Sequence, residues 1–177
     1  MDYKVTAFDL KLALLRYFRF ERQWVCVDEF RGADVIADTG KDIIEVEVKV
    51  DKGDLVNKEC YKTSKHHYYG MGQSYRLFHP SRFYFCVPET LVASAQGVCD
   101  KLNPKYGILA FNAIVFERQI GWNYTHPHST TLRMARSAKR LHESYVGCQK
   151  AIAKRISSKI VTLMEADFKR NIQESEK

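Results

Sequence analysis

From Gly32 to Lys49 the chain alternates apolar and polar residues with a period of two, a pattern that fits a half-buried strand and not a helix face. Ile44, Val46 and Val48 fall on one side of the second half, and Glu45, Glu47 and Lys49 on the other. In the first half Ala33, Val35 and Ala37 stand against Asp34, Ile36 and Asp38. Between the halves, Asp38-Thr39-Gly40-Lys41 supplies residues that tolerate positive φ, so the spacing predicts a hairpin. That hairpin brings Asp34, Glu47 and Lys49 toward one another, with an apolar layer behind them.

A hairpin with one wet face would account for the alternation alone. The acids ask for more. Asp28, Glu29, Asp34, Asp38, Asp42, Glu45, Glu47, Asp51 and Asp54 share one short segment, and like charges opposite each other on a sheet repel by a few tenths to about 1 kcal/mol per pair. A divalent cation relieves that repulsion, and hard carboxylate oxygens favour Mg²⁺, with Mn²⁺ as its substitute.

Asp34, followed thirteen positions later by Glu47-Val48-Lys49 on an apolar strand, resembles the signature of the PD-(D/E)xK nuclease superfamily. The nearest branches are the Holliday-junction-resolvase-like and MmcB-type DNA-repair nucleases. Lys49-Val50-Asp51-Lys52-Gly53-Asp54-Leu55 is similar to the segment by which those proteins leave the strand for the next helix, and the likeness spans about the first 110 residues. Ala33 stands where the motif name places a proline, a position that varies widely in the superfamily. The resemblance implies an α/β fold with a restriction-endonuclease-like core, in the order α-β-β-β-α-β around a mixed central sheet. It also implies a metal site in which Asp34 and Glu47 are ligands, the Val48 carbonyl is a third, and Lys49 is the catalytic amine. An acid of the first helix often completes that site in the family; Asp9 fits best, Glu21 is the alternative, and Glu29 at a strand end is a further candidate.

The net charge of +7 is unevenly spread. Between Arg118 and Lys159 nine basic residues face the single acid Glu143. An acidic strand face followed by a basic C-terminal half suits a protein that holds metal in one place and a polyanion around it, although charge runs also serve simply to solvate a helix. The five cysteines show no CxxC spacing and read as reduced thiols, not as a zinc site or disulfide frame. No stretch has the length of a membrane span and the N-terminus lacks the apolar run of a signal peptide, so a cytoplasmic protein without membrane contact is expected.

The remaining elements follow in chain order. Thr6-Ala7-Phe8-Asp9 has the form of a capping box, and Leu10, Ala13, Leu14, Tyr17 and Phe18 predict a helix over 7–22. Trp24 to Phe30 reads as a strand. Asp54, placed as an N-cap, opens a second helix to about Tyr69, on which Lys62 and Lys65 share a face as candidate phosphate contacts, while the adjacent His66 and His67 diverge. Residues 70–81 read as a loop over the substrate. Arg82–Pro88 reads as a buried strand, Thr90 to about Asp100 as a helix, Tyr106–Phe111 as a strand and Ala113–Gln119 as an edge strand. Gly121–His128 reads as a turn-rich loop whose His126 and His128 are too few ligands for a metal by themselves. From Ser129 a helical hairpin is expected, its first helix striped by Leu132, Met134, Ala135, Ala138 and Leu141 and its second by Ile152, Ile156, Ile160, Leu163, Met164 and Phe168. The chain thus divides into a nuclease-like core over 1–120 and a basic helical extension over 121–177. The extension packs on the core or, as a homodimer, on a second subunit.

The expected activity is that of a Mg²⁺-dependent phosphodiesterase acting on DNA, an endonuclease in repair, recombination or phage DNA metabolism. Arg133, Arg136, Lys139 and Arg140 join Lys62 and Lys65 as the nucleic-acid-binding set; they would position a duplex without reading its sequence. The alternative is a nucleic-acid-binding protein that keeps the fold without the catalysis.

Overall fold

A computed structural model describes residues 4–71, 80–120, 131–143 and 146–175. Its centre is an open six-stranded sheet, in the spatial order β1-β2-β3-β4-β5-β6, which is also the order along the chain. Helix α1 (Ala7–Arg16) begins at the expected capping box: Asp9 N–H donates to Thr6 Oγ1, and the Asp9 carboxylate accepts from Thr6 N–H. A wider π-helical turn, Tyr17–Glu21, continues it. β1 (Val25–Phe30), β2 (Ala33–Asp38) and β3 (Ile43–Val48) form an antiparallel meander. Its first turn is made by Arg31 and Gly32, both at positive φ. In the second loop, Gly40 is at φ +84° and Asp38 Oδ1 accepts from its N–H.

β4 (Arg82–Pro88) runs parallel to β3, and β5 (Gly107–Phe111) runs parallel to β4, so the sheet is mixed, as expected of an α/β protein. The crossover from β3 to β4 is not one helix. A π-helical turn over Asp54–Lys58 passes into a 3₁₀ turn over Glu59–Tyr61, and α2 (Thr63–Gly70) starts afresh after Lys62, whose ψ of 44° breaks the helical run. Nor does Asp54 cap it: Asp51 Oδ1 accepts from Asp54 N–H, and the Asp54 carboxylate turns to Lys49. Helix α3 (Val92–Leu102) joins β4 to β5.

Two elements after β5 exchange the types expected of them. Ala113–Ile120 is a helix, α4, because Asn112 Oδ1 accepts from Val115 N–H and starts it, and Phe116 then packs on Phe111. Leu132–Arg136 is a strand, β6, antiparallel to β5, where a helix was expected. The helical hairpin is therefore replaced by a sheet edge and one long helix, α5 (Gln149–Ser175). Both are tied to the core. β6 continues the sheet, and Ile152, Ala151 and Ile156 of α5 pack on Val25, Val27 and Ile36. Farther along α5, Ile160, Leu163, Met164 and Phe168 are exposed.

The strands' alternation sorts the core into layers. Val35, Ala37, Ile44, Val46 and Val48 lie under α1 with Leu10, Leu14 and Phe18. The other face carries two clusters, one of β1, β2 and α5, the other of β4, β5, α3 and the crossover. One row of the sheet reads Ile36, Glu45, Phe83. The acids of β3 therefore lie in the seam between the two apolar clusters. Among the described residues no helix is long and apolar enough to cross a membrane.

Candidate functional site

β3 is a central strand, so side chains on either face are covered. Glu45 and Glu47 are nearly inaccessible to solvent, as is Lys49 just past the strand end. Isolated ions at such depth are strongly disfavoured, and the seam answers with partners from the crossover. Lys65 Nζ sits 2.5 Å from Glu45 Oε1 and 2.9 Å from Glu47 Oε2. Tyr69 donates its hydroxyl to Glu45 Oε2 at 2.6 Å. Glu47 Oε1 takes Lys49 Nζ at 3.1 Å and also pairs with Lys62 Nζ.

A further acid, Glu59, is fully buried at the start of the 3₁₀ turn. Its Oε2 faces Lys49 Nζ at 2.9 Å and Lys62 Nζ at 3.1 Å; neither is aligned as a hydrogen bond, so those contacts are electrostatic. Its Oε1 lies 3.1 Å from His66 Nε2, and His66 Nδ1 lies 2.8 Å from the Tyr106 hydroxyl. Three glutamates and three lysines thus interlock: Glu45, Glu47 and Glu59 with Lys49, Lys62 and Lys65.

Burial pushes the Lys49 ammonium toward neutrality, but the carboxylates of Glu47 and Glu59 outweigh it and raise its pKa. Lys65 behaves alike: burial lowers it, and Glu45 and Glu47 raise it further. Both side chains are firm cations and hydrogen-bond donors, not bases. For Glu59, burial favours the neutral acid, yet the His66 hydrogen bond and the Lys49 charge hold its pKa down to about 2. Glu47 is likewise held low against its burial, chiefly by Lys65.

Asp34 occupies the neighbouring strand. Continuing the β2–β3 register one step beyond Val35–Val46 sets it across from Glu47. Its Oδ2 accepts from Val48 N–H at 2.8 Å, and its Oδ1 lies 3.2 Å from Lys11 Nζ of α1, which also pairs with Glu29. Glu29 stands on the other side of Asp34 with its backbone at φ +51°, the left-handed region a side-chain-bearing residue seldom enters. Asp34 is thus held between β1 and β3, in contact with the main chain of the Glu47-Val48-Lys49 triplet.

These residues offer a hard cation two carboxylates, Asp34 and Glu47, and the main-chain oxygen of Val48, donor chemistry of the kind such a cation takes. Among the described residues no three His, Cys, Asp or Glu side chains are gathered around a metal position. The Asp9 carboxylate goes to the helix cap, and Glu21 is exposed in the π-helical turn beyond α1. The donor types suit such a cation, with one condition. Glu47 Oε1 already faces two ammonium groups, and a cation must compete with them.

The basic candidates separate. Lys62 and Lys65 do share a face, but it points inward to Glu47, and Lys65 is buried instead of facing solvent. Arg133 makes a paired contact with Glu89, Arg136 reaches Asp100 and the Pro104 carbonyl, and Arg140 bonds Asp42 and Glu143. Lys139 is exposed. His66 and His67 diverge as expected, one into the core and one to solvent. Residues 72–79 of the expected loop and the histidines at 126 and 128 lie outside the described residues. Sequence reasoning overlooked Glu59 and Lys11. The spacing of Glu59, Lys62 and His66 at i, i+3 and i+7 was the available signal for the first; nothing local pointed to Lys11. The chain matches no protein-family model, no curated protein and no solved structure.

Proposed function

We propose that this chain is a metal-dependent DNA nuclease of the PD-(D/E)xK type, with a restriction-endonuclease-like core running from α1 to β4. The observation that carries the reading is the pairing of β2 with β3. It sets Asp34 across from Glu47 with a hydrogen bond to the Val48 main chain, while Lys49 follows on the Glu47 side as a buried ammonium. Asp34, Glu47 and the Val48 carbonyl would hold a divalent ion, which when bound supplies an acidified water and a counter-charge for phosphoryl oxygens. Lys49, kept protonated by Glu47 and Glu59, donates hydrogen bonds that orient a water or steady the charge growing on a phosphate. Glu59, itself fixed by His66, aims the Lys49 amine. Lys139 and the arginines of the β6 region supply charge to a backbone without reading bases.

One observation favours a second reading, a DNA-binding protein without catalysis: all four carboxylate oxygens of Glu45 and Glu47 are already paired within the chain. Labelled DNA and RNA of several forms, incubated with Mg²⁺, Mn²⁺ or EDTA, separate the two. The nuclease reading expects cleavage of DNA that EDTA stops. Lys49→Ala should then lower the rate by roughly 10²- to 10³-fold, on the scale of losing one charge-stabilising donor, while binding persists. Cleavage that survives Lys49→Ala or Glu47→Ala in Mg²⁺ would falsify it.

A further inference from the structure

Of the three lysines in the seam, one differs. The side chains of Lys49 and Lys65 are 6 % and 8 % exposed, while that of Lys62 is 41 % exposed. Lys65, 5.1 Å from the centre of the Phe83 ring, and Lys49, held by Glu47, Asp54 and Glu59, have little access to water. Lys62 can swing into water without disturbing either cluster. It sits at the joint between the 3₁₀ turn and α2, with its amine bridging Glu47 Oε1 and Glu59 Oε2. The first of these, Glu47 Oε1, is an anionic oxygen that a cation beside Glu47 would have to reach.

We propose that Lys62 is a latch: its ammonium occupies the cation position on Glu47 until a phosphate of the nucleic acid draws it away. The proposal rests on the nuclease reading and adds its regulation. With Lys62 in place, three ammonium groups face the carboxylates of Glu45, Glu47, Glu59 and Asp54, and most of the field that would attract a divalent ion is offset. Once the amine moves to a phosphate, the seam becomes more negative by one charge and Glu47 Oε1 keeps only Lys49. Metal affinity then rises where the substrate lies. Because coupling between two binding sites is reciprocal, metal bound there strengthens the hold on the phosphate by the same factor.

The test is Mn²⁺ binding followed by calorimetry on the full chain, without nucleic acid, for the wild type, Lys62→Met and Lys62→Arg. The latch expects Lys62→Met to bind Mn²⁺ about ten-fold tighter or more, a typical coupling factor, and Lys62→Arg, which keeps the charge, to stay near the wild type. Equal or weaker Mn²⁺ binding by Lys62→Met overturns the latch and leaves the metal site standing. Absence of Mn²⁺ heat in all three proteins removes the metal reading itself, and the latch with it. If Lys62→Met fails to give the wild-type circular dichroism and melting transition, Lys62→Gln takes its place with the same expected gain.

Discussion

The two faces of β3 are buried to the same depth and built from opposite materials. Under α1, Ile44, Val46 and Val48 meet Leu10, Leu14 and Phe18 in a dry layer. On the other face, Glu45 and Glu47 are buried as deeply, and every carboxylate oxygen meets an ammonium or hydroxyl group. The dry face stabilises the fold in proportion to the area it removes from water, about 25 cal/mol per Å². The charged face has no such assured return, since a buried ion network often only breaks even against an apolar one of equal volume. Stability alone would have filled the seam with leucine and valine. Its six interlocked charges beside Asp34 therefore call for a reason other than stability, and the proposed nuclease site would supply one.

The contrast can be broken most directly at Lys65. Replacing it with Met leaves Glu45 with only the Tyr69 hydroxyl and strips Glu47 of one partner. Denaturant unfolding should show a loss of about 3–5 kcal/mol, the range for removing one partner of a buried pair. A loss below about 1 kcal/mol, the scale of an exposed ion pair, would mean that the seam is wet. On the dry face, Val46→Ala should lower stability by about 2 kcal/mol through lost burial and a small cavity. The cleavage rate per folded molecule should not change, and a rate that fell with Val46→Ala would undo the division of labour between the faces.

The smallest effect is one of pH. Glu59 has its pKa depressed in the fold from an ordinary 4.5 to about 2. A depressed carboxylate contributes stability that is complete above the unfolded value and is lost as pH falls toward the folded one. The melting temperature should therefore drop between about pH 4.5 and 2. Glu59→Gln, which cannot titrate, should flatten that part of the curve while lowering its plateau. A wild-type profile already flat there would show that Glu59 is not held by His66 and Lys49.

How far the site was legible depends on the range of each interaction. Strand alternation placed Glu45, Glu47 and Lys49 on one side, because side-chain direction in a strand follows from the backbone alone. The hairpin fixed Asp34 against them, because only a short loop separates the two strands. The capping box of α1 was equally local. The exchange of types after β5 had a different cause. Leu132, Ala135 and Ala138 suit a helix period, but the free edge of β5 offers hydrogen bonds, and pairing there overrode a weak local pattern. At Ala113–Ile120 the run of Ile, Val and Phe suits a strand, but Asn112 just before it caps a helix instead.

Sequence alone determined which residues of β2 and β3 share a face, where the hairpin turns, and that acids and a lysine gather on one side of it. These are consequences of the two-residue strand repeat and of short loops. Tertiary structure decided what those charges meet. Lys11 comes from α1, Glu59 and Lys62 from a broken crossover, Lys65, His66 and Tyr69 from α2, and Tyr106 from just before β5. Each of those contacts depends on how helices settle on the sheet, which is set by the packing of the apolar clusters on either side of the seam.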